Sequence, residues 1–165
     1  MSPLKGMELT SLACGRTAVP SLSPLEGMPL QALECSATAI TDLAPLKEMR
    51  LTNLDCYAVR ISDLSPLEGM PLRVLTCAQT WVADLSPLEG MPLTDLRVDC
   101  TRVTDVTPLR ELKLQNLGLT PQQITRGMDD LRQMKSLAKL VRGFDWDEID
   151  AFWRKYDAGG FREPR

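Results

Sequence analysis

Apolar and polar positions recur along the chain with a period of 21 residues. The segment Ser-Pro-Leu-Lys-Gly-Met, which begins at Ser2, returns five times, intact or altered. The later copies begin at Ser23, Ala44, Ser65, Ser86 and Thr107. No insertion separates the six registers, and a fixed period of this length is the sequence signature of a repeat architecture.

Each unit contains a pattern typical of a short strand and a tight turn. In residues 30–35 (Leu-Gln-Ala-Leu-Glu-Cys) the apolar residues Leu33 and Cys35 alternate with polar neighbours, which predicts a half-buried strand. The segment Ser-Pro-Leu-Glu at residues 23–26 predicts one helical turn. Ser23 would cap this turn, Glu26 would reach back to complete the capping box, and Gly27 would end it.

A single unit of this kind cannot bury its two apolar edges alone. Units stacked side by side bury them in one continuous core, with parallel strands about 4.8 Å apart. A unit of 21 residues leaves room for a strand and one turn, but not for a full helix. We therefore predict an α/β solenoid with a curved parallel sheet of six or seven strands and short 3₁₀ turns on the convex side.

The repeat resembles the leucine-rich repeat of the short bacterial, internalin-like type. Its consensus is Leu-x-x-Leu-x-Cys-x-x-Thr-x-Ile-x-Asp-Leu-Ser-Pro-Leu, with Thr38, Thr80 and Thr101 where that family usually has an inward asparagine. Residues 124–161 resemble the ends of repeat regions in planctomycete proteins, some of which are attached to serine/threonine kinases. The resemblance implies a solenoid that binds protein, or the regulatory repeat region of a larger kinase.

The C-terminal part of the chain departs from the repeat. We assign residues 1–127 to six repeats and residues 128–165 to a C-terminal cap made of a helix, a last strand at residues 137–141 and an aromatic helix. Asp145 would cap the aromatic helix. Its apolar face would consist of Trp146, Ile149, Phe152, Trp153 and Tyr156. This aromatic cluster is either a docking site or a lid over the core, and the lid is favoured because repeat arrays need terminal caps.

No comparable cap is apparent at the start of the sequence. Leu9, Leu12, Cys14 and Val19 would then face an uncovered edge. Either the sequence is a fragment of a longer protein, or this edge pairs with a second copy to give a homodimer.

The net charge, the lengths of the apolar runs and the cysteine and histidine content restrict the function and location that we expect. The net charge is -3, so no basic surplus indicates nucleic-acid binding. No apolar run is long enough to cross a membrane, and no secretory signal is recognisable, so we expect a cytoplasmic protein. The five cysteines and the absence of histidine indicate free thiols in a reducing compartment, without the commonest metal ligand or general base.

Cysteine and aspartate each recur at one position of the repeat, so a metal or redox site has to be considered. Cys14, Cys35, Cys56 and Cys77 share the position of an inward leucine, and Val98 and Leu119 replace them in later units. We therefore predict buried thiols, with Cys100 near the surface. Asp42, Asp63, Asp84 and Asp105 are predicted to cap the following turn rather than to bind calcium. No catalytic motif is present, so we predict neither an enzyme nor a cofactor.

The outward positions change from unit to unit, which is expected of a binding surface. Arg60, Trp81 and Arg102 would form a row beside the sheet, with Tyr57 close by. Tyr, Trp and Arg dominate interface energetics. The predicted protein-binding residues are Asp55, Tyr57, Arg60, Gln79, Trp81, Arg97, Asp99 and Arg102. The alternative is an ordinary solvated face on which arginine shields the indole.

Overall fold

Residues 7–142 and 145–161 are described by a computed structural model. Within them a single sheet holds eight strands in sequence order. The strands are β1 (Ser11–Ala13), β2 (Ala32–Glu34), β3 (Asn53–Asp55), β4 (Val74–Thr76), β5 (Asp95–Arg97), β6 (Asn116–Gly118), β7 (Lys139–Arg142) and β8 (Asp145–Glu148). The helices are α1 (Met128–Gln133) and α2 (Ile149–Asp157).

The register of the sheet follows the repeat. Strands β1 to β6 pair in parallel with each leucine opposite the leucine 21 residues later, as in Leu12 opposite Leu33. β7 continues the parallel sheet, with Leu140 opposite Leu117. The predicted solenoid with a parallel sheet is therefore confirmed.

The last strand and the last helix differ from the prediction. The sheet has eight strands, whereas six or seven were predicted. The additional strand is β8, which runs antiparallel to β7. Asp145 and Trp146 belong to β8 and not to the aromatic helix, which begins at Ile149. Backbone pairing with β7 overrides the local helix-start signal of Asp145, as tertiary contacts often override propensity.

Six 3₁₀ turns connect the strands within the described ranges. They span Ser23–Leu25, Ala44–Leu46, Ser65–Leu67, Ser86–Leu88, Thr107–Leu109 and Pro121–Gln123. The predicted capping box is wrong, because Ser23 is the first residue of its turn and makes no side-chain cap. Glu26 lies beyond the last residue of that three-residue turn in an extended conformation (ψ 128°), so its side chain cannot reach back to the start.

The aspartates perform this capping instead, as predicted. Asp63 Oδ1 accepts a hydrogen bond from the backbone N–H of Ser65 at 2.8 Å, and Asp84 Oδ1 does the same for Ser86 at 2.8 Å. Asp42 and Asp105 cap their turns in the same way, at 2.7 and 2.9 Å. The hydrogen bond from the Ser86 N–H also holds the pKa of Asp84 below its ordinary value.

The core is a stack of leucine columns that includes the cysteines. Cys35, Cys56 and Cys77 are fully buried. The inward threonines satisfy their hydroxyls locally, because each donates to the carbonyl three residues earlier, as Thr80 does to Cys77 at 2.6 Å. A polar atom can therefore sit in this core without an unpaired group.

The C-terminal elements extend the same core. Leu140 and Phe152 are fully buried in the cluster that runs through the repeats. The Phe152 ring lies 5.0 Å from that of Phe161 and 5.1 Å, edge-on, from that of Trp153. The aromatic residues of α2 therefore pack mainly on one another and on the end of the repeat stack.

At the opposite end the first repeat is less well buried than the second. Leu9, Leu12, Cys14 and Val19 are only half-buried. Their equivalents in the second repeat, Leu30, Leu33, Cys35 and Ile40, are at most 2% exposed. In the described part of the chain, no helix has the length and apolar character that a membrane crossing requires.

Candidate protein-binding surface

Two columns of side chains form the concave face of the sheet. In each strand the central leucine points into the core, so the residues on either side of it point outward. The third positions are Ala13, Glu34, Asp55, Thr76, Arg97 and Gly118. The first positions are Ser11, Ala32, Asn53, Val74, Asp95 and Asn116. Sequence analysis overlooked the first-position column, although the same alternation about leucine would have found it.

The outward side chains of the strands line a shallow trough on the concave face. One cavity of about 230 Å³ runs across β1 to β4, and another of about 160 Å³ runs across β4 to β6. Val74 and Thr76 line both cavities, so the trough is continuous along the solenoid.

The first half of the trough carries negative charge in fixed positions. Asp55 Oδ1 accepts a hydrogen bond from the backbone N–H of Tyr57 at 2.9 Å. Glu34 accepts hydrogen bonds from the backbone N–H of Gly15 at 3.0 Å and from Ser36. The hydroxyl of Ser36 is the main reason why the pKa of Glu34 lies below its ordinary value. The hydrogen bonds to Glu34 therefore stabilise the ionised form of its carboxylate.

Further along, Arg97 and Asp99 form an internal pair. Arg97 donates to the Asp99 carboxylate through Nε at 3.1 Å and Nη2 at 3.0 Å. Asp99 is only 3% exposed. Gly118 makes room for the pair, since a Cβ there would lie 2.9 Å from Asp99 Oδ1. Asp99 therefore orients Arg97 and offers almost no surface of its own.

A ridge formed by Arg60, Trp81 and Arg102 borders the trough beyond the carboxyl ends of the strands. Trp81 is 49% exposed, and the guanidinium carbon of Arg102 lies 5.5 Å from the centre of its ring. The backbone N–H of Trp81 donates to the Ile61 carbonyl at 2.9 Å, and that of Arg102 donates to Val82 at 2.8 Å. These bonds stack the same position of successive repeats, as the period predicted.

The chain leaves each of the strands β1 to β5 through a residue in the left-handed region. Arg16, Ala37, Ala58, Gln79 and Cys100 have φ between 51° and 56°. This column redirects the chain from the sheet towards the ridge. Sequence reasoning missed it because these five residues include arginine, alanine, glutamine and cysteine and none is glycine or asparagine, the residues that usually adopt this conformation. Gln79, one of the predicted binding residues, is exposed at this bend, whereas Tyr57 is half-buried.

Cys35, Cys56 and Cys77 are buried and Cys100 is exposed, as predicted, whereas Cys14 is less buried than the prediction for its column. Burial raises the pKa of Cys35 and Cys77 to about 12, and that of Cys56 well above its ordinary value. Cys14 is half-buried and Cys100 is exposed. Within the described residues, no group of three or more acidic or cysteine side chains is arranged to hold a metal ion.

A larger cavity, of about 650 Å³, lies at the opposite edge of the solenoid. It is an open groove between residues 26–31 and residues 47–52, away from the ridge and the trough. Every buried side-chain nitrogen or oxygen in the described ranges has a hydrogen-bond partner. The groove therefore contains no buried polar atom that needs a ligand.

Solved structures of similar fold come from Listeria monocytogenes. An internalin (InlF) aligns with a TM-score of 0.61 and 26% identity over 81% of this chain and 47% of that one. Internalin C2 aligns with a TM-score of 0.69 and 22% identity over 81% of this chain and 71% of that one. The chain thus spans about half the length of the first internalin.

No protein-family model matches the sequence, and no curated protein matches it. The resemblance to planctomycete proteins and the association with kinases stay predictions. The matched structures, the stacked parallel strands and the 3₁₀ turns agree with the consensus of the repeat. The fold is an internalin-like leucine-rich-repeat solenoid.

Proposed function

We propose that the chain is a non-enzymatic protein-interaction module that binds a partner over the trough and the ridge. The observation that carries this proposal is Trp81, a large aromatic residue that is half exposed although the apolar side chains around it are buried. Interfaces are enriched in Tyr, Trp and Arg, and buried aromatic anchors supply much of their binding energy. Tyr57, Arg60 and Arg102 surround this anchor on the same side of the molecule.

The experiment compares the wild type with a Tyr57→Ala/Trp81→Ala variant in a pull-down from native lysate. A partner that is captured only by the wild type is then titrated against single variants. Trp81→Ala should weaken binding by about 2 kcal/mol or more. Its thermal melt should stay nearly unchanged, because the side chain points away from the core.

Glu68→Ala provides the matched control on the convex turns. Glu68 is exposed and lies on the far side of the repeat from the ridge. Its substitution should change the affinity far less than that of Trp81. Equal losses from the convex and concave variants would refute the assignment, as would a Trp81 variant with normal binding.

A second candidate function is self-assembly through the edge at β1. The half-buried Leu9, Leu12 and Val19 favour it, because a second copy on this edge would cover them. Measurement of solution mass at several protein concentrations distinguishes the two functions. A mass that stays that of one chain at all concentrations would exclude the homodimer.

The cellular setting and the larger protein are part of the proposal. The exposed Cys100 and the unpaired buried thiols suit a reducing, cytoplasmic compartment. Fractionation of source cells tests this location. The full reading frame and its gene context show whether a kinase domain accompanies the repeats.

A further inference from the structure

The ridge is a cationic surface on a protein of net negative charge. The overall charge is -3, yet neither Arg60 nor Arg102 forms an ion pair within the described part of the chain. The aspartates three positions beyond the ridge residues are Asp63, Asp84 and Asp105. Each of them is turned towards its own 3₁₀ turn, where it accepts the backbone N–H two residues later.

The two guanidinium groups are also available as hydrogen-bond donors. No described hydrogen bond uses the side chain of Arg60 or Arg102, and the ring of Trp81 holds Arg102 by its face. Stacking on an aromatic ring leaves the N–H groups at the edge of a guanidinium free to bind. Their natural ligand is a carboxylate, which an arginine can bind through two parallel hydrogen bonds.

The distance between Arg60 and Arg102 indicates how far apart the carboxylates of the ligand must be. Arg60 and Arg102 occupy the same position two repeats apart, so their backbones are separated by about 10 Å, twice the distance between strands. Trp81 lies between them. An extended chain advances about 3.3 Å per residue, so acidic residues two to four positions apart would reach both arginines. A residue between them would rest on the indole.

We propose that the ridge binds an extended acidic segment of a partner protein, with carboxylates on Arg60 and Arg102 and an apolar residue on Trp81. This inference rests on the proposed function and names the chemistry of its partner. Glu34 and Asp55 place negative charge over the first repeats, so they repel such a segment there and confine it to the ridge.

The probe is a short fluorescein-labelled peptide in which glutamates flank a central leucine, titrated by fluorescence anisotropy against the whole chain. The glutamate peptide should bind, and analogues with glutamine or lysine in place of glutamate should not. Arg60→Gln and Arg102→Gln should each weaken binding by up to about fivefold, the range of an exposed ion pair. The double variant should weaken it about tenfold or more.

Arg73→Gln is the matched control. Arg73 is also exposed, but it precedes β4 and therefore lies at the other edge of the sheet. Its substitution should change the affinity less than twofold. Equal binding of the glutamine analogue, or an equal loss in Arg73→Gln, would overturn the proposal. A single-stranded oligonucleotide that displaces the peptide at the same concentration would also overturn it, because the ridge would then be a general anion surface.

Different results would refute the acidic-segment proposal and the proposed interaction module. If a captured partner depends on Trp81 while the glutamate peptide does not bind, the acidic segment is refuted and the interaction module stands. If no captured partner depends on Trp81, the interaction module is refuted even where the peptide binds. Thermal melts check that each variant is folded, and we expect melts close to that of the wild type because Arg60, Arg73 and Arg102 are exposed.

Discussion

Glu48 stands at a position where four other repeats have glycine. Its φ is 68°, close to the 72°, 73° and 72° of Gly27, Gly69 and Gly90. This left-handed conformation costs a residue with a Cβ about 1–2 kcal/mol. Glycine avoids this cost but loses about 0.5–1 kcal/mol more in backbone entropy on folding. We therefore expect Glu48→Gly to raise the free energy of unfolding by about 0.5–1 kcal/mol.

Gly69→Ala is the matched reverse substitution. A Cβ built on Gly69 meets no atom within 4 Å, so the change creates no steric clash. Its cost is then purely conformational, and we expect a loss of about 1 kcal/mol. The pair of variants separates backbone strain from side-chain contacts, because the two changes run in opposite directions at equivalent positions.

Urea denaturation followed by circular dichroism measures both effects. The midpoint should move while the slope stays constant, since neither variant alters the surface exposed on unfolding. In a thermal melt, 1 kcal/mol corresponds to about 2–4 °C for a chain of this size. A Glu48→Gly variant that is less stable than the wild type would show that the Glu48 side chain makes stabilising contacts that outweigh its strained backbone.

The remaining predictions concern the thiols, the internal ion pair and the C-terminal segment. Cys100 should react first with a thiol reagent, and the buried thiols only in denaturant; immediate labelling of all five would contradict their burial. Since folding raises the pKa of two buried thiols from about 9 to about 12, their stabilising contribution is complete below pH 9 and disappears as the pH rises towards 12, which alkaline melts can measure. Gly118→Ala should cost about 1–3 kcal/mol in urea denaturation because its Cβ would crowd the buried Asp99. Phe152→Ala should cost about 3–5 kcal/mol if the C-terminal segment closes the core, and a melt like that of the wild type would argue against a cap.

The fold was predictable because the repeat imposes one solution on every unit. A leucine that faces inward in one strand must do so in the next, so the register between Leu33 and Leu54 follows directly from the period. The same reasoning placed Cys56 in the core. The prediction failed where the period ends. Nothing local distinguishes Asp145 as a strand residue, because its conformation depends on pairing with Arg142 in β7.

The candidate surface was less predictable because neighbouring side chains constrain one another. The sequence places Trp81 and Arg102 in one column, and the structure has them in contact. The same column-by-column reasoning treated Asp99 as a surface residue, although Arg97 covers it. Whether an outward side chain reaches solvent depends on the residues diagonal to it, which a single column does not contain.

These diagonal relations limit how the binding surface can vary. The Arg97–Asp99 pair requires glycine at position 118 in the next repeat, and the carboxylate of Glu34 occupies the space above Gly15 in the preceding one. At these two places the outward side chain of one repeat and the glycine of the adjacent repeat are therefore matched to each other. A new specificity that alters Glu34, Arg97 or Asp99 must therefore change the matching glycine as well, whereas Arg60, Trp81 and Arg102 are exposed and can be substituted one at a time.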